Sequence, residues 1–141
     1  MDQAEFDRAA VFHYSDEEGT GAVDLEDKVE RVVMDERRNA ILSVQESISA
    51  AKGRAKVGTI VEVLVDGRSE ETEHVLEGRH EGLAPEIDGV VYIDEGQSDL
   101  SPQHPARQNI LSPTPGDFCK VRITDAAAFD LVGRIVTNPV R

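Results

Sequence analysis

Four histidines and one cysteine are the side chains through which this 141-residue chain could bind a soft metal or attack a substrate at neutral pH. His13, His74, His80 and His104 show no His-x₃-His or His-x₃-Cys spacing, the pattern that would set two ligands side by side. His74 and His80 flank a predicted strand among glutamates and read as ordinary surface histidines. Cys119 falls on the apolar face of a predicted strand, where a thiol is buried and inert. A single cysteine also excludes an intramolecular disulfide framework and a cysteine-rich metal or iron–sulfur site within the chain. With 28 acidic residues, carboxylate pairs such as Glu17–Glu18 or Glu70–Glu71 do not single out acid–base chemistry. Gly19-Thr20-Gly21 lacks the lysine and the spacing of a phosphate loop. No residue is assigned a catalytic, cofactor-binding or metal-binding role on these grounds.

The elements that carry these residues follow from composition and period. Leu, Ile, Val and Phe make up 37 of 141 residues, above the ~20% below which a highly charged chain stays disordered, so a single folded domain's worth of core is available. The net charge of −13 argues against nucleic acid or an anionic membrane as the partner. The acidity falls equally on residues 1–50 and 57–141, each net −8, while Ala51-Lys52-Gly53-Arg54-Ala55-Lys56 is net +3. That knot reads as a helix C-terminus, its cations offsetting the dipole and Gly53 ending the helix. No stretch approaches the ~18 apolar residues of a membrane span, and the acidic start lacks a signal peptide's basic and apolar regions. A cytoplasmic protein is expected.

Ala9 to Tyr14 is a short apolar run that reads as a buried strand, closed by the turn Ser15 to Gly21. From Glu26 to about Lys52 the period is helical, with Val29, Val33, Ile41, Val44 and Ile48 on one stripe. One strand and one helix are too little for a core, so this part looks cut from something larger. After the knot the period becomes two. Strands are predicted over Thr59–Asp66, His74–Arg79, Gly89–Asp94, Phe118–Thr124 and Asp130–Val136, with Gly133 marking a bulge or barrel corner. The expected core is Ile60 or Val61, Val63 or Leu64, Val91, Val121, Ile123 and Leu131. Gly96 to Pro115, rich in Pro, Ser and Gln, reads as a surface loop. The fold class is mainly β with an N-terminal helix: a five-stranded antiparallel OB-like barrel.

Two blocks carry a family signature. Val11-Phe12-His13-Tyr14-Ser15-Asp16-Glu17-Glu18-Gly19-Thr20, followed by a long helix with Arg37-Arg38 and Val44-Gln45-Glu46-Ser47-Ile48-Ser49, resembles the end of the radical S-adenosylmethionine barrel of methylthiotransferases. Val57-Gly58, Val63-Leu64-Val65, Gly78-Arg79, Ala84-Pro85-Glu86-Ile87-Asp88-Gly89-Val90-Val91, Pro115-Gly116-Asp117-Phe118 and Asp130-Leu131-Val132-Gly133 resemble the TRAM domain that closes those enzymes. The branch most resembled is the RimO family, which methylthiolates an aspartate of a small-subunit ribosomal protein. The resemblance implies residues 1–55 as the end of the radical barrel, with a remnant strand and a linking helix, and residues 56–141 as the TRAM domain.

It also implies two 4Fe-4S clusters and S-adenosylmethionine in the parent enzyme, held by cysteines this chain lacks, so the chain alone is expected to be inactive. The implied partners are a basic small-subunit ribosomal protein and the remainder of the methylthiotransferase. An acidic barrel suits a basic protein, and Glu70, Glu71 and Glu73 are the candidate docking residues. Two rival readings stay open. One is a stand-alone TRAM-type binding module; the other is RNA binding through Lys56, Arg79, Lys120 and Arg122 on one face.

Overall fold

The computed structural model describes residues 4–70, 72, 74–85, 88–94, 112–137 and 140. Among them lie one helix, α1 (Arg31–Lys56), and five strands: β1 (Ile60–Arg68), β2 (Val75–His80), β3 (Val91–Asp94), β4 (Phe118–Ala126) and β5 (Leu131–Ile135). They form two compact units, Met1–Ser49 and Ala50–Arg141.

In the first unit, residues 9–14 are not a strand. A strand needs a partner for its backbone groups, and none stands beside this one among the described residues. Side chains of α1 take that place. Arg38 Nε donates to the Val11 carbonyl at 3.3 Å, and Gln45 Nε2 donates to the carbonyls of Phe6 (2.9 Å) and Asp7 (3.1 Å). Ser49 Oγ adds a bond to Asp7 at 3.1 Å. Gln45 and Ser49 are accordingly buried, on a helix face where periodicity alone had placed valines and isoleucines. Val29 and Val44 of that predicted stripe are exposed instead. Below the helix start, the Lys28 ammonium and the Tyr14 hydroxyl both donate to Asp16, which holds its carboxyl below the usual range.

The helix begins five residues later than the pattern suggests and runs through Gly53 to Lys56. Gly53 does not end it. A Cβ at this position would lie 3.2 Å from Ala126 Cβ and 3.4 Å from the Ala127 carbonyl, so the glycine serves close packing of the last helical turns on the β4–β5 corner. Termination falls to Gly58, whose φ of +86° turns the chain and whose N–H reaches the Ile123 carbonyl at 2.8 Å. The cations Arg54 and Lys56 do sit in the last turn, where the dipole favours them.

The five strands close into a barrel in the order β1-β2-β3-β5-β4, with β4 returning to β1. The strand β1 is shared: Leu64 pairs with Arg79 of β2 on one side and Phe118 of β4 on the other. All pairings are antiparallel except β3 with β5, which run parallel from Val91↔Leu131 to Asp94↔Arg134. The expected all-antiparallel barrel is corrected there, because the chain crosses from β3 to β4 before β5 returns beside β3. Register shifts at Asp66 and at Thr124 bend β1 and β4 around the barrel. The second faces Gly133, so the predicted corner is present, with its extra residue on the opposite strand.

Side chains alternate in and out, and the inward set is the core: Val63, Val65, Leu76, Val91, Ile93, Cys119, Val121, Ile123, Leu131 and Ile135. Each such aliphatic side chain contributes about 1.5–3 kcal/mol through burial. Val61 packs partly against this cluster, while Ile60 and Leu64 face outward. At two crossings the strands approach too closely for any side chain. A Cβ on Gly78 would lie 2.5 Å from the Leu64 carbonyl oxygen, and one on Gly133 would lie 2.4 Å from Val121 Cγ1. The Pro115-Gly116-Asp117 turn is clamped to β1 by a bond from Val65 N–H to the Asp117 carbonyl and another from Gly116 N–H to the Val65 carbonyl, each 2.9 Å. The buried Asp117 carboxylate closes that turn by accepting from Thr114 N–H and Oγ1, both at 2.9 Å. The loop reading of Gly96 to Pro115 falls largely outside the described residues.

Candidate functional site

The side chains with chemical potential do not converge. Cys119 is 1% exposed inside the barrel, and burial, helped by the nearby Asp117 carboxylate, pushes its thiol up to about 11. A thiol so held is protonated at neutral pH and is no nucleophile. His13 Nε2 lies 3.0 Å from Asp35 Oδ1, within ion-pair distance though off hydrogen-bond alignment, in the N-terminal unit. His74 is exposed before β2 and His80 ends it, so the strand itself separates them. His104 lies outside the described residues. Among the described residues no three His, Cys, Asp or Glu side chains gather as a metal site. The one cysteine of the chain does not fit the ligand set of an iron–sulfur cluster, which takes several thiolates. Glu17 and Glu18 are exposed beside the Thr20 turn, where Thr20 N–H and Oγ1 both donate to the Glu17 carbonyl.

What the barrel offers is surface. In barrels of this topology oligonucleotides and oligosaccharides bind across the outer face of β2 and β3, between the β1–β2 and β4–β5 loops. Here that face carries Glu77 beside Tyr92, and Val75 beside Asp94. The β1–β2 loop holds Glu70, which is exposed; Glu71 and Glu73 lie outside the described residues. The β4–β5 loop presents Phe129, 44% exposed, next to Asp130, whose carboxylate accepts from Val90 N–H at 3.0 Å. The β1–β2 loop is rich in carboxylates by sequence, whereas the β4–β5 loop holds one, Asp130, and the face between them mixes Glu77 and Asp94 with Val75, Tyr92 and Arg79.

The cations proposed for RNA do come together, but not as a positive stripe. Arg79, Lys120 and Arg122 share the outer surface around β1, opposite Leu64, Glu62 and Ile60 respectively. Arg79 Nη1 is 3.3 Å from Asp66 Oδ1, Lys120 faces Glu62 across the ladder, and Arg122 Nη1 donates to the Gly58 carbonyl at 3.2 Å. Lys56 is half-buried at the helix end. Arg79 and Arg122 are thus engaged locally, while Lys120 has only its ladder position opposite a carboxylate. The signal missed in the sequence is Phe118, 45% exposed on this same face. Its parity with Lys120 and Arg122 marks it as outward-pointing.

The family model for the TRAM domain matches residues 57–136, the five strands and their connections. The chain belongs to the TRAM domain family. Beyond the TRAM barrel, similarity extends across nearly the whole chain. It is 47% identical over 138 residues to the ribosomal protein uS12 methylthiotransferase RimO of Anaeromyxobacter sp. (strain K), covering 98% of this chain and 26% of that protein. The corresponding RimO of Myxococcus xanthus (strain DK1622) is 42% identical over 134 residues, covering 95% and 25%. That of Sorangium cellulosum (strain So ce56) is 43% identical over 135 residues, covering 96% and 25%. The chain spans about a quarter of the length of the curated relatives it matches.

Proposed function

We propose that the chain is the substrate-docking portion of a radical S-adenosylmethionine methylthiotransferase that modifies ribosomal protein uS12. Residues 1–55 belong to the end of the radical barrel with its linking helix, and residues 56–141 form the TRAM domain that holds the ribosomal protein. The parent reaction adds a methylthio group to an unactivated carbon of an aspartate. Its clusters and S-adenosylmethionine are bound by parts of the enzyme other than these residues, and the reaction takes place in the cytoplasm, where its substrate is.

One observation carries this reading: a chain 47% identical over nearly its full length to a uS12 methylthiotransferase folds a barrel with an acidic β1–β2 loop. Carboxylates there suit a basic protein and repel phosphate. The pairing of Arg79 with Asp66 and the bond from Arg122 to the Gly58 carbonyl weigh against the RNA reading.

The test is to titrate the purified chain with ribosomal protein uS12 and, separately, with transfer RNA at low and physiological salt. Binding of the protein weakens steeply with salt, because the Debye length shrinks from ~30 Å at 0.01 M to ~8 Å at 0.15 M. Reversing Glu70, Glu71 and Glu73 to lysine weakens it further. Tighter binding to the RNA at both salts would overturn the proposal in favour of an RNA-binding module.

A further inference from the structure

The outer surface of β1 and β4 holds a groove of about 510 Å³ that runs to the turn after β2. Its lining mixes apolar Leu64, Leu83 and Phe118 with charged Glu62, Glu81 and Arg79. We infer that this groove seats an extended, basic segment of the ribosomal protein, with an apolar side chain on Phe118 and flanking lysines or arginines on Glu62 and Glu81. This rests on the docking reading above and names the place where contact is made.

Three observations support it. The ten-residue core contains no aromatic ring, whereas Phe118 stands 45% exposed. Its exposure matters because Leu64 and Leu83 line the same groove, and aromatic anchors seated among apolar neighbours dominate binding energy at interfaces. Phe118 is also fixed in place. Its backbone N–H and carbonyl both bond to Val140 at 2.8 Å, and its ladder partner is Leu64. An anchor held this way loses little freedom when a partner arrives.

The charges choose the occupant. Glu62 and Glu81 stand in no ion pair among the described residues, and Arg79 is the one lining lysine or arginine and has its charge offset by Asp66 at 3.3 Å. Lys120, opposite Glu62 outside the lining, leaves one carboxylate in excess. The lining is therefore net negative and favours a cationic segment over a phosphate backbone. A second copy of this chain, itself at −13, is the wrong sign. The volume lies within the ~300–1,000 Å³ of sites that take a small ligand, so it accommodates a few side chains of an extended segment rather than a folded domain.

Isothermal titration of the full chain with ribosomal protein uS12 tests the inference, together with ¹⁵N amide shifts on the chain. Phe118→Ala is expected to weaken binding about tenfold or more, with the loss persisting at 0.15 M salt. The double variant Glu62→Lys, Glu81→Lys changes only charged side chains of the lining and keeps the test valid should Phe118→Ala fold poorly. It is expected to weaken binding about tenfold at 0.01 M salt and less at 0.15 M. Amide shifts should centre on Leu64, Leu83 and Phe118. If reversing Glu70, Glu71 and Glu73 weakens binding while both groove variants bind as the parent does, the groove is wrong and the docking reading stands. If the parent chain binds no uS12 at all, both fall. Shifts at Phe118 on adding transfer RNA but not uS12 would assign the groove to RNA and overturn the inference.

Discussion

Adding one methyl group at two glycines of the same barrel should have opposite consequences. A Cβ on Gly133 would sit 2.4 Å from Val121 Cγ1 and 2.7 Å from the Arg122 carbonyl oxygen. Comfortable carbon contact is ~3.5–4.0 Å, so Val121 would have to retreat by about 1 Å. It cannot do so freely, since its side chain is fully buried, β-branched, and packed within the barrel core. Overpacking of this kind costs about 1–3 kcal/mol. A domain of this size has roughly 4–12 kcal/mol in hand at ~0.05–0.15 kcal/mol per residue. Gly133→Ala should therefore fold but melt roughly 5–20 °C lower. At Gly67, nothing lies within 4 Å of the added carbon and φ is not in the left-handed region. Gly67→Ala should be neutral or stabilising by up to about 1 kcal/mol, through the unfolded chain's lost freedom. Urea and thermal melts followed by circular dichroism measure both. A Gly133→Ala variant melting within about 2 °C of the parent, or a Gly67→Ala variant equally damaged, would refute the closeness of the β4–β5 crossing.

Ile123→Ala, emptying a site 1% exposed, is expected to cost about 2–5 kcal/mol in the same melts, and Lys120→Ala under about 0.5; the reverse order would mean the faces of β4 are inverted. Cys119 holds its proton up to about pH 11 when folded and loses it near pH 9.0 when unfolded. Between those values the unfolded chain binds fewer protons, so stability should fall as pH rises from about 9.0 and level off near 11. A Cys119→Ser control, read by urea midpoints, should lack that component. Hydrogen exchange should protect the strand amides from Ile60 to Ile135 and leave Val11 and Phe12 fast, since residues 9–14 make no ladder; strong protection at Val11 would restore the strand there. Anaerobic reconstitution with iron and sulfide should give no stoichiometric iron–sulfur absorption, because one buried thiol is the chain's only cysteine.

Period-two patterning made the barrel legible. In β4, Cys119, Val121 and Ile123 alternate with Lys120 and Arg122, and the structure buries the first set and turns the second outward. Where a feature depends on a contact distant in sequence, the same reasoning fails. Gly53 carries every local mark of a helix end, yet what decides it is Ala126, which only the fold brings to 3.2 Å. Ala9 to Tyr14 looks like a strand by hydropathy. Arg38 instead holds its Val11 carbonyl, and Gln45 and Ser49 hold the adjoining Phe6 and Asp7; these polar donors, spaced seven and four residues apart on one side of the helix, are passed over by a search for apolar stripes. The parallel pairing of β3 with β5 leaves no trace in either strand's own residues. Of the proposed docking surface, the charge lies in the sequence and the position does not. Glu70 stood out as part of an acidic run, whereas Phe118 differs from a core residue only by the parity it shares with Lys120.

Salt separates the two kinds of contact this barrel can make. Attraction between the acidic β1–β2 loop and a basic protein acts over a Debye length, and at ~8 Å in 0.15 M salt much of it is screened. Contact of an apolar side chain with Phe118 and Leu64 depends on area removed from water and is nearly indifferent to moderate salt. Affinity for uS12 should thus fall steeply as salt is raised and then settle on a plateau. The loop carboxylates at Glu70, Glu71 and Glu73 govern the slope, since they act mainly on encounter. Phe118 and Leu64 of the groove govern the plateau, while its Glu62 and Glu81 add to the slope. Phe118→Ala should lower the plateau and leave the slope nearly unchanged, and the loop reversals should flatten the slope and leave the plateau in place. Were both variants to change slope and plateau in the same proportion, steering and anchoring would be one surface, and the division of labour between the acidic loop and the apolar side chains of the groove would be wrong.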